Sequence, residues 1–155
     1  MDSLGDRIKR YEDVYQYKLT PRSCLFIRVD GKAFHSYTKG MKRPFDEIII
    51  KSMVRAASFA AKEMQGFKCA YVQSDECTFM LTDFDTLQTQ GWFCYELSKI
   101  LSISASAFTA YFNEFIRIEH FLDKTRELSE KKQLAMFDSR AFIVPKEDAA
   151  NVFIS

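Results

Sequence analysis

Residues 24–37 read CLFIRVDGKAFHSY, an apolar run that ends in an acid, a glycine and a lysine. The run has the length and composition of a buried strand, so Asp30 stands at the end of a strand that is otherwise apolar. A second stretch, YVQSDECTFML at residues 71–81, places the adjacent acids Asp75 and Glu76 between two apolar runs. A charge beside a hydrophobic core is unfavourable unless it has a partner. The acids at these two positions therefore indicate a function.

Hydrophobic spacing and turn residues predict the other elements of the fold. They are a helix at 3–18, which Ser3 caps, a strand at 24–29, a polar loop at 36–44, a helix at 46–65, strands at 68–73 and 77–82, a long helix at 91–113, a charged helical segment at 119–133, a strand at 138–144 and a last helix from residue 146. The core order is β-α-β-β-α-β. This is the split-βαβ, ferredoxin-like arrangement, an α+β fold whose antiparallel sheet has its helices packed on one face.

The predicted topology brings three carboxylates to one edge of the sheet. In this fold the first and third strands are antiparallel neighbours at the sheet centre, and Asp30 ends the first strand while Asp75 and Glu76 open the third. Carboxylates that pack together repel each other unless a cation lies between them. Oxygen ligands with open positions suit Mg²⁺, which also takes substrate phosphates as ligands. Gly31 fits such a site, because without a Cβ its backbone and carbonyl can approach an ion or a phosphate.

Basic residues follow the first acid and could neutralise a triphosphate: Lys32, Lys39, Lys42 and Arg43. Plainer interpretations are open for each of these features, since an Asp-Gly pair is also a common turn and a lysine-rich loop is normally solvated. His35 can be a structural hydrogen-bonding histidine or a phosphate or ribose contact. Lys99, on the long helix, is typical of a surface lysine whose stem lies along apolar neighbours.

Length and composition are typical of one packed domain, with 155 residues, 47% of them hydrophobic. The formal net charge of +1 neither supports nor excludes a nucleic-acid partner, because a local basic patch can be hidden in a neutral total. No apolar run is long enough to span a membrane and the N-terminus lacks a signal-peptide pattern, so a cytosolic protein is expected. The four cysteines lie in apolar segments and do not have the spacing of zinc ligands. This predicts that all of them are buried free thiols: Cys24, Cys69, Cys77 and Cys94.

Several common catalytic motifs are absent from the sequence. There is no G-x-x-x-x-G-K-[ST] loop and no G-x-G-x-x-G after a strand, which excludes the P-loop and Rossmann types of nucleotide site. There is also no G-x-S-x-G elbow and no plausible Cys/His catalytic pair. The acidic sheet edge remains the main candidate for chemistry.

The chain resembles the histidine-tRNA guanylyltransferase family, which includes the wider set of Thg-like reverse-direction (3′-to-5′) RNA polymerases. The resemblance is carried by RVDGKAFHSYTKGMKRPFDE, YVQSDECTFML, WFCYELSKILSISASAFTAYFN and FDSRAFIVP, in that order. The D-G-x-x-F-H and S-D-E elements are fairly specific as a pair. The resemblance implies that residues 1–155 form a single polymerase-palm domain. The family normally continues into a further C-terminal segment, which this chain, whose last residues are NVFIS, is expected to lack as a fragment, a split gene product or a shortened variant.

The resemblance further implies the chemistry. Two Mg²⁺ ions would be held by Asp30, the Gly31 carbonyl and Asp75, with Glu76 as a further essential acid. Such enzymes use the 3′-hydroxyl of an incoming nucleotide, usually GTP, to attack a tRNA 5′ end that ATP has activated or that already carries a triphosphate. Members typically assemble as dimers of dimers. The resemblance places these residues around the nucleotide: Lys32, Ala33, Phe34, His35, Arg43, Asp46, Ser74 and Lys99.

Other functions are open at the level of sequence. A nucleotidyl cyclase uses the same palm and two acids, although the hairpin here reads QSDECT rather than G-G-[DE]-E-F. A truncated, inactive protein that binds nucleotide or assembles with a partner fragment is a second alternative. A ferredoxin-like regulatory domain without catalysis is the third.

Overall fold

The computed structural model describes residues 2–40, 46–122 and 133–155. Its helices are α1 (Leu4–Asp13), α2 (Phe34–Tyr37), α3 (Glu47–Ala61) and α4 (Leu97–Leu122), with 3₁₀ helices at Trp92–Tyr95 and Lys146–Phe153. Its strands are β1 (Cys24–Gly31), β2 (Phe67–Gln73), β3 (Glu76–Leu81) and β4 (Phe137–Val144). The order of the main elements confirms the predicted β-α-β-β-α-β fold.

The four strands form one sheet in the order β2-β3-β1-β4. β1 pairs antiparallel with β3 on one side and with β4 on the other. Asp30 lies directly opposite Glu76 of β3 and directly opposite Asp138 of β4. The predicted neighbourhood of the first and third strands is therefore confirmed, and β4 adds an acid at the same level of the sheet.

The two faces of the sheet have different cover. Ile27 and Val29 of β1 are 0% exposed and belong to the main core, which α3 and α4 close. Phe26 points to the opposite face, called the open face here, where its ring contacts Phe142 and Phe153. Side chains alternate between faces along a strand. Asp30 and its two opposite acids therefore lie on the open face, beyond the apolar patch around Phe26.

α3 has an apolar stripe and an acidic first turn, and it ends at Ala61 rather than at the predicted residue 65. Asp46 is the N-cap, and its side chain accepts a hydrogen bond from the Ile48 backbone N–H at 3.0 Å. The helix buries Met53, Ala56 and Ala60 at 0% exposure. Small residues on this stripe allow close packing against α4 and the sheet.

Some predicted boundaries were wrong. The first helix ends at Asp13 rather than residue 18, although the predicted Ser3 cap is present in a full capping box. Its apolar residues are exposed, with Ile8 at 53% and Tyr11 at 68%. Helical spacing identifies an apolar face, but it does not say what covers that face.

The predicted helix at 91–113 is also divided. Phe93 and Cys94 have φ values of 51° and 49°, so a 3₁₀ turn precedes α4, which then continues to Leu122. The rest of the predicted helical segment at 119–133 lies largely outside the described residues. The predicted loop at 36–44 begins inside α2, and its last residues lie outside the described residues. The last helix, from Lys146, is 3₁₀ rather than α.

The cysteine prediction holds for only half of the residues. All four thiols are free, and Cys24 and Cys77 are buried. Cys69 and Cys94 are exposed, because the first lies on the edge strand β2 and the second lies in the 3₁₀ turn before α4. In the part of the chain that the structure describes, no helix is both long and apolar enough to cross a membrane.

Two glycines with the same backbone conformation give a matched stability test. Gly66 has φ +82°, and an added Cβ would overlap the carbonyl oxygen of Thr82, whereas Gly40 has φ +87° and open space around it. We expect Gly40→Ala to lower the free energy of unfolding by about 1–2 kcal/mol, the strain of a left-handed L-residue. Gly66→Ala should lower it by about 2–5 kcal/mol, because overpacking adds to that strain. Urea unfolding of both variants measures the difference, and equal losses would contradict this account of Gly66.

Candidate active site

A row of acids crosses three strands at one end of the sheet. Asp30 stands between Glu76 and Asp138 in the strand register. Adjacent strands lie about 4.8 Å apart, so the three carboxylates on the open face are neighbours. Asp30 and Glu76 are half-buried, while Asp138 is exposed. The row is accessible to a ligand that approaches the open face or the strand ends.

Asp75 joins this row from the turn between β2 and β3. Ser74 has φ +56°, which makes the turn tight, and the Asp75 carbonyl accepts a hydrogen bond from the Gly31 N–H at 3.0 Å. A Cβ on Gly31 would lie 3.1 Å from Asp75 Oδ2 and 2.5 Å from the Phe34 ring. The absence of that Cβ lets both the Asp75 carboxylate and the Phe34 ring approach the end of β1 closely. The structure thus brings Asp30, Gly31 and Asp75 together.

The charges at this edge oppose one another. Burial raises the pKa of Asp30 above its ordinary value of 3.8, and the nearby negative charges of Asp75 and Asp138 raise that pKa further. Arg140 and a backbone hydrogen bond from Gly31 act in the other direction. Ionised Asp30 is therefore disfavoured by its surroundings, and a bound cation would relieve the repulsion.

Glu76 has a basic partner that sequence reasoning missed. Arg28 Nε lies 3.3 Å from Glu76 Oε1 and also donates to Thr78 Oγ1 at 3.1 Å. The guanidinium lies over the Phe142 ring, 5.8 Å from its centroid. Arg28 thereby holds the Glu76 carboxylate on the open face. A signal for this residue exists in the sequence, because positions 28 and 30 of one strand must share a face.

Residues of α4 hold the start of β4 against the site. The Asn113 side chain accepts from the Ala135 N–H at 2.9 Å and donates to the Ala135 carbonyl at 2.8 Å. Thr109 Oγ1 accepts from the Phe137 N–H at 3.2 Å. The Lys32 N–H donates to the Met136 carbonyl at 2.8 Å. These contacts place Asp138 beside Asp30. No sequence motif predicted them.

The residues predicted around a nucleotide have different positions. Exposed residues Lys32, Ala33 and His35 follow the acid directly, and Ser74 is exposed in the neighbouring turn. The Phe34 ring is 6% exposed and packs on Tyr37, Phe112 and Phe137, so its side chain belongs to the core. Asp46 is buried as the cap of α3, and Arg43 lies outside the described residues.

Lys99 is not brought to the acids within this chain. It lies in the first turn of α4 with its ammonium group 3.5 Å from Glu96. Thr109, which is close to the start of β4, lies about 15 Å further along the helix axis. The position agrees with the plainer interpretation of Lys99 as a surface lysine.

Comparison with known proteins agrees with this geometry. Residues 5–145 match the family model described as Thg1: tRNAHis guanylyltransferase. This chain belongs to the Thg1 family. The matched region contains every strand of the sheet and all four acids of the edge, Asp30, Asp75, Glu76 and Asp138.

Curated relatives are longer than this chain. It is 31% identical over 153 residues to the tRNA(His) guanylyltransferase of Kluyveromyces lactis, covering 94% of this chain and 61% of the relative. It is 32% identical over 142 residues to the enzyme of that name from Schizosaccharomyces pombe, covering 88% of this chain and 50% of the relative. The chain thus spans about half to three fifths of the length of these two relatives.

Solved structures of the Thg1 family have the same fold. A bacterial Thg1-like protein in complex with GTP superposes with a TM-score of 0.88 at 43% identity, covering 99% of this chain and 69% of that one. The tRNA(His) guanylyltransferase of Saccharomyces cerevisiae superposes with a TM-score of 0.74 at 25% identity, covering 98% and 62%. The palm-type α+β fold expected from the sequence is thereby confirmed.

The donors at the acidic edge fit Mg²⁺ as an open site. Asp30 and Asp75 supply hard carboxylate oxygens, and Gly31 has no side chain to block its carbonyl. Within the described ranges, no three His, Cys, Asp or Glu side chains are arranged to surround a metal ion. Mg²⁺ usually binds one or two carboxylates and completes its shell with water and substrate phosphates. The arrangement therefore fits a cation that arrives with a nucleotide.

Because the pKa of Asp30 is raised, removing its charge should increase the thermal stability of the protein in a pH-dependent way. A group whose pKa is higher in the folded state binds its proton more tightly there, so its contribution to stability falls as pH rises through that pKa. We expect metal-free Asp30→Asn to melt at a higher temperature than the parent at pH 7. The difference should close as pH falls towards 3.8, the ordinary pKa.

Thermal unfolding in EDTA across this pH range tests the expectation. Asp148→Asn is the matched control, since Asp148 is exposed on the C-terminal 3₁₀ helix and should show no such gain. A melting temperature of Asp30→Asn equal to or below that of the parent at pH 7 would contradict the repulsion at the edge.

Proposed function

We propose that this chain is a nucleotidyltransferase that adds a nucleotide, with GTP preferred, to the 5′ end of a tRNA in the 3′-to-5′ direction. The meeting of Asp30 and Asp75 at one sheet edge, in a chain of the Thg1 family, carries the proposal. Relatives named tRNA(His) guanylyltransferase support the reaction class. Similar bacterial proteins solved with GTP and with ATP support these nucleotides as substrates.

The proposed reaction is an in-line displacement at phosphorus. The 3′-hydroxyl oxygen of the incoming nucleotide attacks the 5′ phosphorus of the RNA, the hydroxyl proton is released, and a new phosphodiester forms. The leaving group is AMP where ATP has adenylylated the 5′ end, or pyrophosphate where the end carries a triphosphate. Bound Mg²⁺, two ions in the family expectation, would stabilise charge on the attacking and leaving oxygens.

The chain's own residues would bind and orient the reactants. Asp30, Asp75 and the Gly31 carbonyl would hold the cation, and Glu76, fixed by Arg28, would keep further negative charge beside it. Exposed Lys32 follows directly and can neutralise phosphate charge. In the same proposal, His35, Arg43 and Ser74 contact phosphate or ribose, and Ala33 and Phe34 contact the nucleotide through their backbone. Lys99 would contact a nucleotide that is bound by another subunit. Asp46 would support the nucleotide site through its cap of α3.

An assembly of several copies belongs to the proposal. The family expectation is a dimer of dimers whose subunits share one tRNA in the cytoplasm. The exposed apolar residues of α1 support a contact beyond the described chain, because a ten-residue helix with no buried residue gains little stability from packing. Each subunit would contribute residues 1–155 as a single palm domain.

A direct assay tests the activity. The protein is incubated with 5′-triphosphorylated tRNA that lacks its first nucleotide, with Mg²⁺ and labelled GTP, and label at the RNA 5′ end is measured. We expect addition by the parent, and loss of about a thousandfold or more in Asp30→Ala and Asp75→Ala, because charge stabilisation by metal is worth several kcal/mol. Asp148→Asn should keep the parent rate.

The other outcomes identify the alternatives. A cyclic product from GTP alone would favour a nucleotidyl cyclase. Binding of GTP with Mg²⁺ but no turnover would favour a nucleotide-binding role without catalysis. Retained addition in either folded alanine variant, with circular dichroism unchanged, would reject the two-carboxylate mechanism.

A further inference from the structure

We propose that Asp138 on β4 is a positioning residue of the acidic edge, whose charge helps hold the divalent cation beside Asp30. The inference rests on the proposed function, since it takes the edge at Asp30 and Asp75 as the place where the cation binds. It goes further by giving β4 a role in the site. The predicted metal site drew only on the first strand and on the hairpin at residues 71–81.

The strand register places the two acids face to face. Asp138 is the direct partner of Asp30 across the β1–β4 pair. Directly opposite residues of antiparallel strands have Cα atoms about 4.5–5.5 Å apart and side chains on the same face. Arg140 and Phe142, which follow at alternate positions, lie on this face too, with Arg28 over the Phe142 ring. The carboxylate of Asp138 therefore shares the open face with that of Asp30.

The distribution of basic partners leaves this pair of acids without a cation between them. Glu76 has Arg28 at 3.3 Å, whereas the one basic partner of Asp138 within the described ranges is Arg140, at 4.0 Å and with a 67% exposed side chain. Among the described residues, no lysine or arginine forms an ion pair with Asp30. Like charges directly opposite each other destabilise a sheet. A divalent cation between the two carboxylates would remove that repulsion, and both carboxylates would attract the cation.

The position of Asp138 is held from the other side of the sheet. Asn113 pairs with both backbone polar groups of Ala135, and Thr109 binds the N–H of Phe137, the residue before Asp138. Lys32, two residues after Asp30, binds the Met136 carbonyl. Backbone hydrogen bonds thus fix the segment that precedes Asp138 and the segment that follows Asp30. A carboxylate on such a rigid backbone can contribute to cation affinity without a large ordering cost.

Binding of Mn²⁺, followed by the loss of its free-ion signal in electron paramagnetic resonance, tests the inference without any turnover. We expect Asp138→Asn to weaken Mn²⁺ binding by about tenfold to a hundredfold, the range found when supporting residues of metal sites are removed. Asp138→Glu, which keeps the charge, should recover a large part of the affinity. Asp148→Asn removes the same charge from an exposed site and should bind Mn²⁺ as the parent does.

A second measurement separates this role from a purely structural one. In EDTA, Asp138→Asn should melt about 1–4 °C higher than the parent, because it removes repulsion from Asp30. It should also need more Mg²⁺ for half-maximal nucleotide addition, with the maximal rate largely restored at high Mg²⁺. A lower melting temperature in EDTA, with Mn²⁺ affinity unchanged, would show that Asp138 only supports the fold and would overturn the inference.

The same titrations distinguish this inference from the proposed function. If Asp30→Asn loses Mn²⁺ affinity while Asp138→Asn stays within twofold of the parent, the role of Asp138 is rejected and the proposed site stands. If neither variant changes Mn²⁺ affinity, the acidic edge is not the cation site, and both are rejected.

Discussion

The pairing of β1 with a strand on each side is the interaction on which the rest of the molecule depends. Because side chains alternate along a strand, a slip of one residue would exchange the two faces of the sheet. Ile27 and Val29 are completely buried under α3 and α4, so the free energy of the hydrophobic core holds the register in place. The same register puts Asp30 on the open face between Glu76 and Asp138.

An aromatic cluster lies beneath the acidic edge. The Phe34 ring packs on Phe112 and Phe137 with centroids 5.6 Å away in both cases, and Phe108 lies 4.8 Å from Phe137. These contacts join the start of α2, three residues after the end of β1, to the start of β4 and the middle of α4. Aromatic pairs of this kind add to the stability from burial. They stabilise a place in the fold where neighbouring carboxylates would otherwise favour separation.

The family match and the geometry support each other through the same residues. Thg1 relatives share the palm-type sheet with this chain, and the matched residues 5–145 include each strand that carries an acid of the edge. The D-G-x-x-F-H element has a physical explanation in the structure. Its acid faces the row of carboxylates, its glycine leaves room for Asp75, and its phenylalanine anchors the strand end in the core.

The sequence by itself determined the strand order and the approach of Asp30 to Asp75, since both follow from hydrophobic runs and from turns, which are local properties. It did not give the correct start of the helix predicted at 91–113. Helical spacing continues through the residues before α4, but their positive φ values break the helix there. Asp138, Arg28 and Asn113 entered the site only with the tertiary structure. Their roles depend on which residues of distant strands and helices stand opposite each other, and hydrophobic burial across the whole sheet decides that register.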